Sequence, residues 1–179
     1  MTQFIRDKAA ATEAQQKLAL SFLFAQDSAG LATDGVLTGL AVAQTVTASA
    51  SVVIGKGAGV VQDSVLNGAS MLVLDTDLTL DVLTANPVGG LPRNDLVVFD
   101  AATVSAGSGG VRAIIGTPNA SPTDPSVPAT AIPLARLRHA ASATTIPTAK
   151  IDSLIVATSL FGGASSTNRI NGIPFAGAP

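Results

Sequence analysis

Apolar and polar positions follow a helical pattern near the start of the chain and an extended pattern after it. Over residues 7–26, Ala14, Leu18 and Phe22 recur at the spacing of one helical face, among residue types that favour helices. The pattern therefore predicts a helix over residues 7–26. An alternative for residues 18–24 is that the apolar run is already a strand.

After residue 30, short apolar runs alternate with turn signals, which is typical of antiparallel β-structure. Asn67-Gly68 separates two such runs and is a strong signal for a tight hairpin. Residues 150–160 are apolar and fit either a strand or a helix. The other predicted strands cover residues 36–42, 45–54, 59–66, 71–74, 78–83, 95–100, 111–115 and 131–137, with 111–115 pairing to 95–100 across a loop at 105–110.

Two segments lack the pattern of a strand. Residues 117–129 contain four prolines among Ser, Thr and Asn, and proline cannot donate to a β-ladder, so we predict an extended surface loop. Residues 161–179 consist mainly of Gly, Ala, Ser, Asn and Pro, which cannot build a core of their own. We predict an extended arm there that docks onto a neighbouring subunit.

The spacing of the predicted strands, roughly 8 to 12 residues, indicates a mainly β fold. The expected architecture is a small antiparallel β-sandwich or barrel-like domain with an N-terminal helix and an extended C-terminal arm. The predicted organisation is an N-terminal helical docking segment over residues 1–30, a β-domain over 31–160 and the arm over 161–179. No internal repeat of fixed period is visible.

The chain carries unusually little charge. Of its 179 residues, 12% are charged, against about 25% in typical soluble domains. A free soluble monomer usually needs more surface charge to stay dispersed. We therefore expect much of the surface to be covered by copies of the chain in a homo-oligomer, a trimer or a ring.

Composition also excludes several classes of function. The chain has no cysteine and one histidine, which excludes a disulfide framework, a thiolate nucleophile and a multi-histidine metal site. A net charge of −2 with ten scattered cations gives no electrostatic footprint for nucleic acid. No apolar run is long enough to span a membrane, and the absence of Trp and Tyr argues against an aromatic shelf for sugars.

Residues 55–59, Gly-Lys-Gly-Ala-Gly, have the glycine content of a phosphate-binding loop but not its spacing. The residues after this segment have the pattern of a strand rather than a helix, so a tight β-turn is favoured. Asp75, Asp77 and Asp81 share one strand parity and could together offer oxygen ligands to Ca²⁺. Because the spacing of a calcium loop is missing, turn residues facing solvent are favoured for these aspartates.

His139 is the one candidate for a general base, but no nucleophile motif such as GxSxG accompanies it. Arg136 and Arg138 alternate with Leu137, which fits a half-exposed strand. These three cations are too few for a nucleic-acid site, and an ion pair with an aspartate of another subunit is favoured. We predict no catalytic, cofactor-binding or metal-binding residue, no cofactor and no enzymatic activity.

Four segments stand out together by their order and spacing. In one-letter code they are VLTGLAV at 36–42, NDLVV at 94–98, VPATAIPLARL at 127–137 and ATTIPTAKIDSL at 143–154. Together they resemble segments of minor tail proteins from tailed phages of actinobacteria and other Gram-positive hosts, and the resemblance covers about residues 31–155.

The resemblance implies a virion structural protein, a tail, baseplate or tail-fibre subunit that assembles as a homo-oligomer, expected to be a trimer, and anchors host-attachment parts. Its expected partners are copies of itself and other virion tail or baseplate proteins, with host cell-surface glycan contacted indirectly, and neither nucleic acid nor membrane. One alternative is a capsid decoration or head-fibre protein. A further alternative is a receptor-binding module for cell-wall glycan.

Overall fold

Antiparallel β-sheets make up most of the molecule, which we describe from a computed structural model. The predicted mainly β class, with one short helix, is confirmed. The structure describes residues 13–21, 23–24, 26, 32–63, 68–83, 90–103, 110–158, 169–170 and 173–174.

One α-helix and twelve strands are present in these residues. The helix α1 spans Glu13–Ser21. The strands are β1 (Gly35–Gly39), β2 (Val42–Gln44), β3 (Ser51–Ile54), β4 (Gly57–Asp63), β5 (Gly68–Leu74), β6 (Leu78–Asp81), β7 (Arg93–Asp100), β8 (Val111–Ile114), β9 (Ala131–His139), β10 (Ile151–Ser153), β11 (Arg169–Ile170) and β12 (Ile173–Pro174). Short 3-10 turns follow β7 and precede β10.

The strands form three main sheets and one small hairpin. The first sheet has the order β1-β4-β5, the second β2-β3-β6 and the third β10-β9-β7-β8, while β11 pairs with β12. One apolar cluster joins the three main sheets, because inward side chains from each of them meet in it. Its fully buried members are Leu40, Val52, Ile54, Val97, Phe99, Leu134 and Leu137.

A bulge in β9 allows a proline inside a central strand. Val98 pairs with Pro133, but the register between β7 and β9 shifts beside Val97, which leaves Leu134 as an extra residue on β9. The carbonyl of Leu134 accepts the N–H of Leu154 at 3.0 Å, so the displaced backbone group is satisfied. Proline is tolerated in a sheet at such irregularities.

The N-terminal helix is shorter at its end than predicted. It ends at Ser21 rather than at residue 26, and the alternative of a strand from residue 18 is wrong for residues 18–21. The reason is tertiary packing, because Phe24 is buried against Val60 and Ala69 of the first sheet. Residues 7–12 of the predicted helix lie outside the described residues.

The predicted strand over 36–42 is divided into β1 and β2, which belong to different sheets. Gly39 and Leu40 have φ values of 63° and 59°, in the left-handed region that interrupts a strand. Leu40 is fully buried in the apolar cluster, and this burial offsets the strain of its backbone.

The predicted strand over residues 45–54 is also too long, since β3 begins at Ser51. The Thr45 hydroxyl donates to the carbonyl of Thr47 at 2.6 Å and lies 2.8 Å from the Ser49 hydroxyl. Such local side-chain bonds compete with the β-ladder and favour a turn.

Several predictions about hairpins and loops are confirmed. β4 and β5 form the predicted hairpin and pair without interruption from Gly57↔Leu74 to Asp63↔Gly68. Gly68 is the first residue of β5 rather than part of a two-residue turn, and residues 64–67, which connect the strands, lie outside the described residues. β8 pairs with β7. Residues 115–128 form no strand, in agreement with the proline-rich loop, while 104–109 of the loop predicted at 105–110 are not described.

In the segment over 150–160, Lys150 ends a 3-10 turn, residues 151–158 form no α-helix and begin with β10, and residues 159–160 lie outside the described residues. After β10 the chain runs along β1, where Ala157 forms a parallel bridge with Val36. Of the predicted arm over 161–179, the structure describes only β11 and β12, so its docking onto a neighbour stays a prediction. In the described part of the chain, no helix has the length and apolar character required to cross a membrane.

Candidate functional site

A buried cluster of charged side chains lies between β7 and β9. Arg93 and His139 are directly opposite each other in the ladder, and Asp95 lies two residues along β7 on the same face. Their exposed fractions are 3% for Arg93, 0% for Asp95 and 3% for His139. Charged side chains are buried in this way only when they are paired.

The carboxylate of Asp95 is the centre of this cluster. Its Oδ2 accepts a hydrogen bond from Arg93 Nε at 3.1 Å, and Arg93 Nη2 lies 2.9 Å away. His139 Nε2 is also 2.9 Å from Oδ2, but it makes no hydrogen bond with that oxygen. The other oxygen, Oδ1, accepts the N–H of Gly116 at 2.8 Å.

This geometry gives the cluster a structural role. Both oxygens of Asp95 are engaged, and the partners come from β7, β9 and the segment after β8. The half-exposed strand expected from Arg136, Leu137 and Arg138 is confirmed, since both arginines are at least partly exposed and Leu137 is buried. His139 lies on the same face as Leu137, and its side chain is buried beside Asp95. The missed signal was the spacing of Arg93 and Asp95, since polar residues two apart in an apolar strand share one face.

A second buried carboxylate, Asp100, lies at the end of β7. Its Oδ2 accepts bonds from Arg112 Nε and Nη2 at 2.9 and 2.7 Å, and its Oδ1 accepts bonds from the Thr130 hydroxyl and the Ala102 N–H. Burial raises the pKa of Asp100. The bonds from Thr130, Arg112 and Ala102 outweigh burial, so the pKa lies below its ordinary value of 3.8.

The other cations of β9 form a ladder of ion pairs on the outer surface. Arg136 donates from Nε to both oxygens of Asp124 at 2.7 and 2.8 Å, and Arg138 Nε lies 2.8 Å from Asp152. The bonds from Arg136 hold the pKa of Asp124 below its usual value. These arginines are therefore paired within the chain, and not with another subunit as predicted.

The glycine-rich segment over residues 55–59 is a turn followed by a strand. Gly55 and Lys56 connect β3 to β4, which begins at Gly57, so the prediction of a tight turn is confirmed. The N–H of Lys56 donates to Asp77 Oδ1 at 2.8 Å. A carboxylate bound to this amide is the opposite of what a phosphate-binding loop requires.

The three aspartates near β6 act as turn residues. Asp75 and Asp77 are exposed between β5 and β6, and Asp81 accepts the N–H of Leu83 at 3.3 Å. Within the described residues, no three His, Cys, Asp or Glu side chains are grouped to hold a metal ion. The structure thus agrees with the turn interpretation of these residues.

A small cavity of about 140 Å³ lies between β1 and β9. It is lined by Asp34, Gly35, Val36, Ala131, Ile132, Pro133 and Val156. Partial burial raises the pKa of Asp34, although its side chain is still exposed in part, and the bond that its Oδ1 accepts from the Gln62 N–H opposes this increase only in part. The cavity holds about one side chain and offers a single carboxylate, which is too little for a built ligand site.

Apolar side chains remain exposed on the outer face of the first sheet. Met71 is 48% exposed and Val73 is 53% exposed, while Leu72 and Leu74, which alternate with them along β5, are buried. The run Met-Leu-Val-Leu carries apolar residues on both faces of β5, a signal for a strand covered on both sides. Exposed apolar patches mark contact surfaces, so this face is the strongest candidate for an interface.

Comparison with models of protein families, with curated proteins and with solved structures gives no match for this chain.

Proposed function

We propose that the chain is a structural subunit of a tailed-phage particle, located in the tail, baseplate or tail fibre. In this role it assembles with copies of itself, as a trimer, and connects host-attachment parts to the virion. The observation that carries the proposal is the placement of the segments that resemble minor tail proteins, because three of the four form neighbouring strands of one sheet.

Residues 94–98 lie in β7, residues 127–137 lead into β9, and residues 143–154 lead into β10. These strands are adjacent in the third sheet, in the order β10-β9-β7. Strands that pair with one another must be compatible in register. The resemblance of three neighbouring strands therefore supports a likeness of the whole sheet to those tail proteins, rather than three isolated matches of short segments.

The distribution of charge supports assembly. The fold buries Arg93, Asp95, Asp100 and His139, and it pairs Arg136 and Arg138 with aspartates on the surface. A chain with 12% charged residues therefore presents even less free charge to solvent than its composition indicates. A neutral surface with apolar patches is suited to contacts between subunits.

The test is to locate the chain in particles produced from the genome that encodes it. Mass spectrometry of purified virions should detect the chain, and immunogold electron microscopy should place the label on the tail or its tip. A label on the head would favour the decoration or head-fibre alternative. Absence from purified virions would overturn a structural role, and sedimentation with isolated cell walls would favour the glycan-binding alternative.

A further inference from the structure

The edge strands of the three main sheets differ in how well they are protected against pairing with another chain. An unprotected edge presents free N–H and C=O groups to any extended segment, and short length, charge, bulges or a cover prevent this. β1 has an irregular register and is covered by residues 156–158. β2 and β10 are short, with three residues each. Charge protects the other two edges, because β6 lies beside Asp77 and contains Asp81, and β8 contains Arg112.

β5 lacks these protections over most of its length. It has seven residues without charge or proline, and its register with β4 is continuous. The helix α1 packs against β5, and its Lys17 and Leu18 lie against Gly68 at the beginning of the strand. Among the described residues, no strand pairs with the outer edge of β5, and Met71 and Val73 beside that edge are exposed.

We infer that the outer edge of β5, which no described strand occupies, accepts the C-terminal segment, residues 159–179, of a second copy of the chain as an added strand. Strand addition gives affinity through main-chain hydrogen bonds, while alternate side chains give specificity. This inference rests on the proposed assembly of the chain with copies of itself, and it names the surface and the segment that make the contact.

The position at which the described chain leaves the domain indicates this occupant. The N–H of Val36 donates to the carbonyl of Val156 at 2.8 Å, and the N–H of Thr158 donates to the carbonyl of Val36 at 3.0 Å. Residues 156–158 therefore run along β1, which is the edge of the first sheet opposite to β5. One edge sends out the C-terminal segment and the other is paired with no described strand, which is the arrangement of a head-to-tail contact that closes into a ring.

The C-terminal segment has the length and composition for this contact. It carries one charged residue, Arg169, and the short pairing of β11 with β12 places Ile170 and Ile173 in extended backbone. The ten residues 159–168 that precede β11 can span about 33–36 Å when extended. The strands of a sheet lie only about 4.8 Å apart, so the segment can reach a β5 edge well beyond its own β1.

Cross-linking between differently marked copies tests the inference directly. The chain has no cysteine, so single substitutions are the only thiols present. Val73→Cys and Ile173→Cys chains, carrying different affinity tags, are mixed, allowed to exchange subunits and treated with a short bismaleimide. We expect a covalent product that carries both tags. The control replaces Val73→Cys by Val46→Cys, which is fully exposed on a turn of the second sheet, and should give little of that product.

Solution mass separates this inference from the proposed assembly. By light scattering, the full chain should have the mass of a trimer. A form ending at Leu160 should have the mass of the monomer, because it lacks most of the C-terminal segment. Met71→Lys should also have the mass of the monomer, because a charge on the edge prevents pairing. Thr79→Lys, at an exposed position in β6, should keep the trimer mass.

If Met71→Lys keeps the mass of the unsubstituted chain and no product with both tags forms, the β5 contact is overturned while the assembly stands. If the full chain is a monomer, both the β5 contact and the proposed assembly are overturned. If a Val73→Cys/Ile173→Cys double variant cross-links only within one chain, exchange of the segment between copies is overturned.

Discussion

Arg93 and His139 lie directly opposite each other on β7 and β9, and both reach the same carboxylate oxygen of Asp95 at 2.9 Å. The three side chains are almost fully buried, so they form a charged centre within an apolar core. A centre of this kind is costly to desolvate and more costly to break, because removing one member leaves the others uncompensated. It ties together the two longest strands of the third sheet.

Asp95→Asn should strongly destabilise the fold. The substitution keeps the size of the side chain but removes the negative charge that compensates Arg93, and breaking a buried ion pair costs about 3–5 kcal/mol. The free energy of unfolding from urea titrations measures this loss. Asp75→Asn, on an exposed turn, should change it by less than about 0.5 kcal/mol. Equal stability of the two variants would show that the cluster contributes nothing.

Asp100 should make the fold sensitive to acid. Its pKa in the folded chain lies below the ordinary value of 3.8, so the folded state binds this proton less readily than the unfolded state. The stabilisation from Asp100 is therefore present above pH 3.8 and is lost as the pH falls through the lowered folded-state pKa. Unfolding free energies between pH 7 and pH 2 should show this loss, and the loss should be smaller in Asp100→Asn.

Thr130→Val tests the same carboxylate by removing one of its hydrogen bonds while keeping its charge. The hydroxyl of Thr130 donates to Asp100 Oδ1 at 2.8 Å and is one cause of the lowered pKa. Without that bond the folded-state pKa should rise toward its ordinary value, so less stabilisation should be lost on acidification than in the parent chain. An unchanged pH profile in both Thr130→Val and Asp100→Asn would contradict the assignment.

Asp34 should have the opposite effect on stability. Burial raises its pKa in the folded chain, so the folded state binds this proton more readily than the unfolded state and the ionised group costs stability above the folded-state pKa. Asp34→Asn should therefore stabilise the fold at pH 7, since the amide oxygen can still accept the Gln62 N–H. The gain should disappear at pH values below the ordinary value of 3.8. Thermal unfolding at both pH values measures it, and a loss of stability at pH 7 would contradict the prediction.

Local pattern was sufficient for much of the β-structure, because the hairpin at Asn67-Gly68 and the proline-rich loop depend on residues close in sequence. The end of α1 was not predictable in this way, since it depends on the packing of Phe24 against Val60. The buried Arg93 cluster depends on the register of β9 relative to β7, which a strand pattern does not specify. The position of β5 at the edge of the described first sheet likewise depends on sheet order, which only the structure provides.

Gly39→Ala should lower the free energy of unfolding by more than backbone strain alone would. Gly39 has a φ of 63°, and a Cβ there would collide with the carbonyl oxygen of Lys56, so the β1–β4 pairing would have to shift. Gly90→Ala is the matched control, because Gly90 has a φ of 68° but no atom of the described residues lies within 4 Å of an added Cβ. Strain in the left-handed region costs about 1–2 kcal/mol at either site. The free energy of unfolding should therefore fall by the cost of this strain in Gly90→Ala and by clearly more in Gly39→Ala. Equal losses in the two variants would mean that the close contact with Lys56 relaxes without cost.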